Sequence, residues 1–376
     1  MTAGSDRAAR MALSCVVDCG EPAVCDQVER GGAAATWARA GEGAFGQPIA
    51  RRATELDLEL VLRHAEGVGV RFIVPGDEEW PQRLGDLRYA GVVNRRGGVP
   101  PGLWLRGPGH LAELAERSVA VVGSRAATSY GAGMAADLAA DLAEQQVTVV
   151  SGGAFGIDAA AHRGALAVHG RTICVLATGV DVAYPAGNSA LLDWIAREQL
   201  LVSELPPGAT ATRVRFLARN RVIAAMSRGT VVVEAALRSG ARNTATWALG
   251  CNRVLMAVPG PVHSTTSAAP HGMIRDGLAT LVTGAPDVLD LVSPVGEHTL
   301  ASTTGDLRPT DGLGAARLAT YEAVPARRPA SAGDIALAAG VELPDCLADL
   351  AALELAGLVQ AEPSGWRLSR RSRAGT

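Results

Sequence analysis

The chain has 376 residues, 48% of them hydrophobic, more than one ordinary core needs, which predicts about two or three units. A formal net charge of −3 and a pI near 6.2 exclude a globally basic surface, so a polyanion site has to be a local concentration of Arg. All 35 basic residues are Arg; without Lys a Walker-type phosphate loop is excluded, and only Arg clustered at strand ends carries weight. No apolar run reaches the roughly 18 residues of a membrane span, and the N-terminus lacks a signal-peptide core, so a cytoplasmic protein without membrane contact is expected. Cys15, Cys19, Cys25, Cys174, Cys251 and Cys346 form no C-x-x-C pair and read as small buried hydrophobes, with no metal site expected.

Residues 1–108 read as a mixed N-terminal region of degenerate SAM-like helices plus a lead-in strand. Arg10 to Val17, Pro22 to Arg39 and Glu55 to Glu66 predict helices, Val70 to Val74 (VRFIV) a strand, and Pro100 to Gly107 (PPGLWLRG) the lead-in strand. Trp80 and Leu84 offer packing anchors around Pro81. His64 reads as a helix-surface residue without a partner.

Residues 109–293 change pattern to short aliphatic strands separated by helical segments. The strands are Val119 to Val122, Val147 to Val150, Thr172 to Leu176, Leu200 to Ser203, Thr230 to Val233, Arg253 to Ala257 and Ala279 to Val282. Such alternation predicts an α/β fold with a mostly parallel sheet covered on both faces, whose ligand binds outside the carboxyl ends of the strands. The first strand ends in Gly123, Ser124 and Arg125, ahead of Ser129, and the second in a turn of Ser151, Gly152, Gly153, Phe155 and Gly156 followed by Asp158. The third ends in ATGVDVAYP, the fourth in SELPPG, and the fifth in Glu234 and then Arg238, Ser239, Gly240 and Arg242. FLARNR places Phe216, Arg219, Asn220 and Arg221 at the start of a predicted helix. Arg125, Arg219, Arg221, Arg238 and Arg242 thus share one predicted rim with hydroxyls and glycines, a cradle for phosphates. Each piece also has a plainer structural role: glycines as turns, Asp158 at the positive end of its helix, Glu234 holding an Arg.

The first turn is not G-x-G-x-x-G, the histidines are scattered, and Ser151 does not lie in a G-x-S-x-G elbow, so no cofactor and no catalytic residue is expected. Residues 294–312, rich in Gly, Ser, Thr and Pro, read as a linker. Within 313–376, helices at Leu313 to Ala323, Ser331 to Ala339 and Leu343 to Ala356, then strands at Leu358 to Ala361 and Trp366 to Leu368, outline a small winged-helix-like domain. Its third helix is acidic and apolar, which favours a structural or protein-contact role over duplex reading, while Arg367, Arg370, Arg371 and Arg373 form a basic tail.

Taken together, VAVVGSR, SGGAFGIDAAAHRGAL, TGVDVAYPAGN, SELPPG, FLARNRVIA, VVVEAALRSG and AVPG followed by MIRDG resemble the bacterial DNA-processing protein family DprA, also called Smf. The resemblance implies an extended Rossmann-like central domain that binds single-stranded DNA, protects it and helps load the recombinase RecA during DNA uptake and recombination. It also implies a homodimer with no catalytic activity. Its DNA pocket would fall on Gly123, Ser124 and Arg125, with Arg219 and Arg221 and with Phe216 as a stacking face. The chain departs from the family at Phe155, where a basic residue is usual and where a stacking surface replaces a charge, and at Leu217, where Pro is usual. The alternative is a Rossmann-like nucleotide-binding hydrolase of the phosphoribohydrolase type, suggested by Gly229 to Glu234 (GTVVVE), with Glu234 as its carboxylate.

Overall fold

The aliphatic runs pair side by side in the computed structural model of the protein, which describes residues 3–294 and 309–369. Helices come first: α1 (Ala3–Val16), α2 (Pro22–Gly31), α3 (Ala33–Gly41), α4 (Gln47–Glu55) and α5 (Leu58–Gly67). They are followed by β1 (Val70–Ile73), the hairpin of β2 (Val92–Val93) and β3 (Arg96–Gly97), β4 (Leu103–Arg106) and α6 (Leu111–Glu116). Strands and helices then alternate: β5 (Ser118–Val122), α7 (Ser129–Glu144), β6 (Thr148–Ser151), α8 (Ile157–Ala167), β7 (Thr172–Val175), α9 (Ser189–Glu198) and β8 (Leu200–Ser203). The series continues with α10 (Arg213–Met226), β9 (Gly229–Val232), α11 (Gly240–Gly250), β10 (Val254–Ala257), α12 (Ala268–Arg275), β11 (Thr280–Leu281) and α13 (Ala285–Val292).

These strands form a nine-stranded sheet in the order β1-β4-β8-β7-β6-β5-β9-β10-β11. From β8 to β11 every pairing is parallel, as expected of strands that are apolar on both faces. Val119 and Val121 pack with α7, α8 and α13 on one face, and Ala120 and Val122 with α10 and α11 on the other. The order runs outward from β5 in both directions, so a crevice opens beyond the carboxyl ends of β5 and β9.

β1 and β4 extend the sheet antiparallel past β8, with Trp104 opposite Ser203. The sheet therefore crosses residue 108, and the N-terminal helices cover it: buried Trp104 donates its Nε1–H to Ser14 Oγ of α1 at 3.1 Å. The expected helix from Pro22 to Arg39 is broken at Gly32, whose φ of 81° no helix tolerates. Helix α4 lies outside the expected helices; it buries none of its residues fully and packs through Ile49 against the N-terminal core. Helix α10 starts at Arg213 rather than near Phe216, since Thr212 caps it by accepting the Arg215 N–H at 3.3 Å.

The chain divides into two compact units, residues 1–300 and 301–376. In the second, α14 (Ala315–Ala323), α15 (Ala332–Ala339) and α16 (Leu343–Leu355) pack around Ile335, Cys346, Leu350 and Leu353, and the hairpin of β12 (Val359–Glu362) and β13 (Gly365–Leu368) follows. This is the expected outline of three helices and a wing. Ser331 caps α15 and Gly340 ends it in the left-handed region at φ 68°. Most of the expected linker, 295–308, and Arg370, Arg371 and Arg373 of the tail lie outside the described residues. Among the described residues no helix is long and apolar enough to cross a membrane.

Candidate nucleic-acid interface

Two glycine turns lock together at the crevice. A Cβ on Gly123 would come within 2.5 Å of Ile157, and a Cβ on Gly156, which sits at φ 76°, within 2.3 Å of the Ser124 carbonyl. With both side chains absent, that carbonyl accepts the Ile157 N–H at 3.1 Å and the turn after β5 rests on the start of α8. Arg125 is left exposed at the mouth, its guanidinium carbon 4.5 Å from the centre of the Phe216 ring. Phe216 in turn meets Tyr184 with ring centres 5.4 Å apart and planes 50° from parallel. Together they border a groove of about 770 Å³ closed by Thr212, Arg213 and Phe216 of the α10 end and by Arg238, Ser239 and Gly240 at the start of α11.

The electrostatics of this groove are one-sided. Arg125, Arg213 and Arg238 line it, all three are exposed, and none makes an ion pair among the described residues. The acidic residue on the wall, Asp158, is 7% exposed. Burial pushes its carboxyl above the ordinary range, against the pull of the Arg219 charge and of backbone N–H groups of Ala154 and Gly152. A concave, uncompensated cationic surface with aromatic rings in its wall suits a strand of phosphates with bases attached.

Of the residues expected at the site, Gly123, Ser124, Arg125, Phe216, Arg219, Asn220, Ser239 and Gly240 line the groove. Ser129 is exposed on the first turn of α7 outside it, and Gly152 and Gly153 form the buried turn behind it. Ser151 is buried and spends its hydroxyl on the Val121 carbonyl at 2.7 Å. Phe155 is 49% exposed and lies over Gly187, outside the groove wall. Arg242 turns back to donate to the Leu237 carbonyl at 2.7 Å and does not reach the groove.

The R-N-R segment needs the largest correction. Both arginines were expected at a helix start and on phosphates; they lie in the middle of α10, which is buried from Ala218 to Met226. Arg219 is 6% exposed and donates to the carbonyl oxygens of Gly152, at 2.7 Å, and Val175, so it forms floor rather than rim. Arg221 has no exposed surface and pairs with Glu204 and the Gly98 carbonyl. Asn220 joins α10 to α11 through Asn243 Oδ1 at 3.2 Å. Tyr184 and Arg213 were not assigned from sequence. Arg213 was missed with the true start of α10, and Tyr184 lies nine residues past the end of its strand, at the far end of the loop after β7.

Two further residues have other roles than their sequence suggests. Glu234 is buried beneath the start of α7, where its carboxylate accepts the Thr128 N–H at 2.9 Å, the Thr128 hydroxyl at 2.6 Å and the Thr266 hydroxyl at 3.0 Å. It therefore neither holds an Arg nor lines the groove; it secures Thr128, the residue that caps α7 by accepting the Gly131 N–H at 3.1 Å. His64 does have a partner, Asp181 Oδ2 at 2.9 Å from its Nε2. Cys174 is inert by position, its thiol pushed up to about 12 by burial.

The sequence profile of the DNA recombination-mediator protein A family matches residues 71–293. Over 321 residues the chain is 49% identical to a putative DNA processing protein DprA of Mycobacterium tuberculosis, covering 84% of this chain and 80% of that protein. It is 34% identical over 310 residues to protein Smf of Escherichia coli, covering 80% and 78% of the two chains. Among solved structures, DNA processing protein A of Streptococcus pneumoniae superimposes with a TM-score of 0.63 at 30% identity over 80% of this chain and 100% of that one. The Helicobacter pylori protein, whose structure describes its single-stranded DNA binding mode, matches with a TM-score of 0.50 at 25% identity over 58% of this chain and 94% of that one. The expected α/β, Rossmann-like fold and family are thus found, and the chain belongs to the DNA recombination-mediator protein A family, whose members carry the names DprA and Smf.

Proposed function

We propose that the groove beyond β5 and β9 binds single-stranded DNA, that it does so without catalysing a reaction, and that a homodimer in the cytoplasm passes the strand to RecA. The observation that carries the binding claim is the trio Arg125, Arg213 and Arg238: three exposed cations, without an ion pair among the described residues, around one aromatic-walled groove in a chain of net charge −3. Cations on the rim hold phosphates regardless of sequence, and the rings select bases that are free to unstack. Family membership supports a role in DNA processing, and the single-stranded DNA binding described for the Helicobacter pylori protein supports the choice of strand.

The hand-over to RecA and the dimer rest on the family resemblance. A gel shift comparing single-stranded with duplex DNA at fixed salt tests the binding claim: preference for the single strand is expected, and equal affinity contradicts it. Light scattering tests the dimer, and the lag in RecA filament formation on a single strand, shortened when the protein is added, tests the hand-over. Incubation with AMP tests the absence of hydrolysis: no free adenine is expected, and release that disappears in Glu234→Gln contradicts it.

A further inference from the structure

A second pair of cations lies away from the groove, on the seam between the N-terminal helices and the sheet. A cavity of about 250 Å³ is bordered there by the end of α1 around Asp18, by Arg52 of α4, by the loop after β8 at Thr210, and by Arg215 of α10. Arg213 and Arg215 are two positions apart, about 200° around a helix. The first turn of α10 therefore gives one arginine to the groove and the other to this cavity.

The two guanidiniums at the cavity are not matched by acceptors. Arg52 is partly buried, yet it makes no hydrogen bond or ion pair among the described residues, whereas its neighbour Arg51 meets Glu55 at 3.8 Å. Arg215 gives one Nη to the Thr210 carbonyl at 2.6 Å and turns the other to Asp18 at 3.6 Å. Its Nε, like that of Arg52, is shielded from solvent and has no acceptor among the described residues. Asp18 is the one carboxylate on the cavity wall, so two cations face a single anion. Asp181, which fastens the same loop, is spent on the Gly208 N–H at 2.8 Å and on His64. A shielded N–H without an acceptor loses its water and gains nothing in return, so two of them at one cavity mark a place for a shared anion. Size narrows the choice. The cavity, about 250 Å³, is smaller than the roughly 300–1,000 Å³ of pockets that take a whole organic molecule, and suits one tetrahedral oxyanion gripped by guanidinium forks.

We propose that this seam binds a phosphate group, free or at the end of a larger molecule, between Arg52 and Arg215. The site is separate from the groove and stands whether or not the groove binds DNA. Arg52 belongs to the N-terminal helices and Arg215 to the alternating part of the fold, so a bound phosphate ties the two together.

The test follows thermal unfolding of the full chain in phosphate and in chloride of equal ionic strength, for wild type, Arg52→Gln and Arg125→Ala. Arg52 has no partner to lose, so Arg52→Gln should unfold at the wild-type temperature in chloride. Phosphate should raise the midpoint of wild type and of Arg125→Ala. Phosphate affinity by calorimetry should fall roughly ten- to a hundred-fold in Arg52→Gln, the size of one charged hydrogen bond. Two strands of one sequence, one with a 5′-phosphate and one with a 5′-hydroxyl, separate the sources. Tighter binding of the phosphorylated strand that vanishes in Arg52→Gln assigns the site to strand ends, and the lack of such a difference assigns it to free phosphate. No phosphate effect on wild type, an equal effect in Arg52→Gln, a lower chloride midpoint in Arg52→Gln, or an effect lost only in Arg125→Ala each overturn the proposal, the last by placing the ion in the groove.

Discussion

Arg221 and Glu204 face each other as an ion pair sealed in the interior, their side chains 0% and 5% exposed. The second arginine of R-N-R is thus a fastener: it also holds the Gly98 carbonyl at 2.6 Å, and it fills the place a Cβ on Gly20 would take, 2.7 Å from its Nε. Arg221→Ala should cost about 3–5 kcal/mol by leaving a buried carboxylate alone, measured by urea unfolding. Replacing both partners, Arg221→Met with Glu204→Leu, should recover much of that loss. DNA affinity per folded molecule should not change in either variant; a selective loss of affinity would return Arg221 to the site.

Gly152 and Arg219 are coupled in the same way. A Cβ on Gly152 would lie 2.0 Å from Arg219 Nη1, so the glycine is the space into which the guanidinium fits. Gly152→Ala should displace Arg219 from its carbonyl partners and destabilise the fold by about 1–3 kcal/mol. Chemical denaturation checks this, and a variant as stable as wild type would show that the floor can relax.

His162 is fully buried; its Nδ1 meets the Thr172 hydroxyl at 2.7 Å, and that hydroxyl donates to the Val149 carbonyl, so the ring is the donor between them. Burial lowers its pKa from 6.5 to about 3, so the unfolded chain binds the proton that the native ring refuses. The resulting stability is complete above pH 6.5 and declines as pH falls towards 3, by about 1.4 kcal/mol per unit. His162→Gln should flatten the dependence by that amount in urea unfolding at pH 7, 6 and 5. An identical slope in wild type and variant would contradict a neutral buried ring.

Arg238 and Arg242 are four residues apart in sequence but differ in placement: Arg238 lines the groove, and Arg242 is spent on the Leu237 carbonyl. Arg238→Ala should lower single-strand affinity and its salt dependence, while Arg242→Ala should change neither. Equal losses in the two variants would mean that a diffuse basic surface, not the groove, holds the strand.

The sheet was legible because each parallel strand is a continuous aliphatic run, and the rim because glycines, hydroxyls and Arg follow those runs. Periodicity gave no access to depth. R-N-R reads as surface because Arg usually is, yet the helix that carries it enters the interior, where carbonyls of Gly152, Val175 and Gly98 and the Glu204 carboxylate receive the charges. Glu234 showed the same limit, since its three hydrogen-bond donors come from Thr128 and Thr266, far apart in the chain. Tyr184 was hidden by loop length: only the fold brings it to Phe216.

The central claim is that Arg125 meets phosphate at the mouth of this groove, and a salt titration of single-strand affinity for wild type and Arg125→Ala tests it most directly. The account predicts weaker binding to every sequence and a slope of log K against log salt lower by about 0.7, the share of one phosphate contact on a single strand, with stability unchanged. A variant with wild-type affinity and wild-type slope would contradict it.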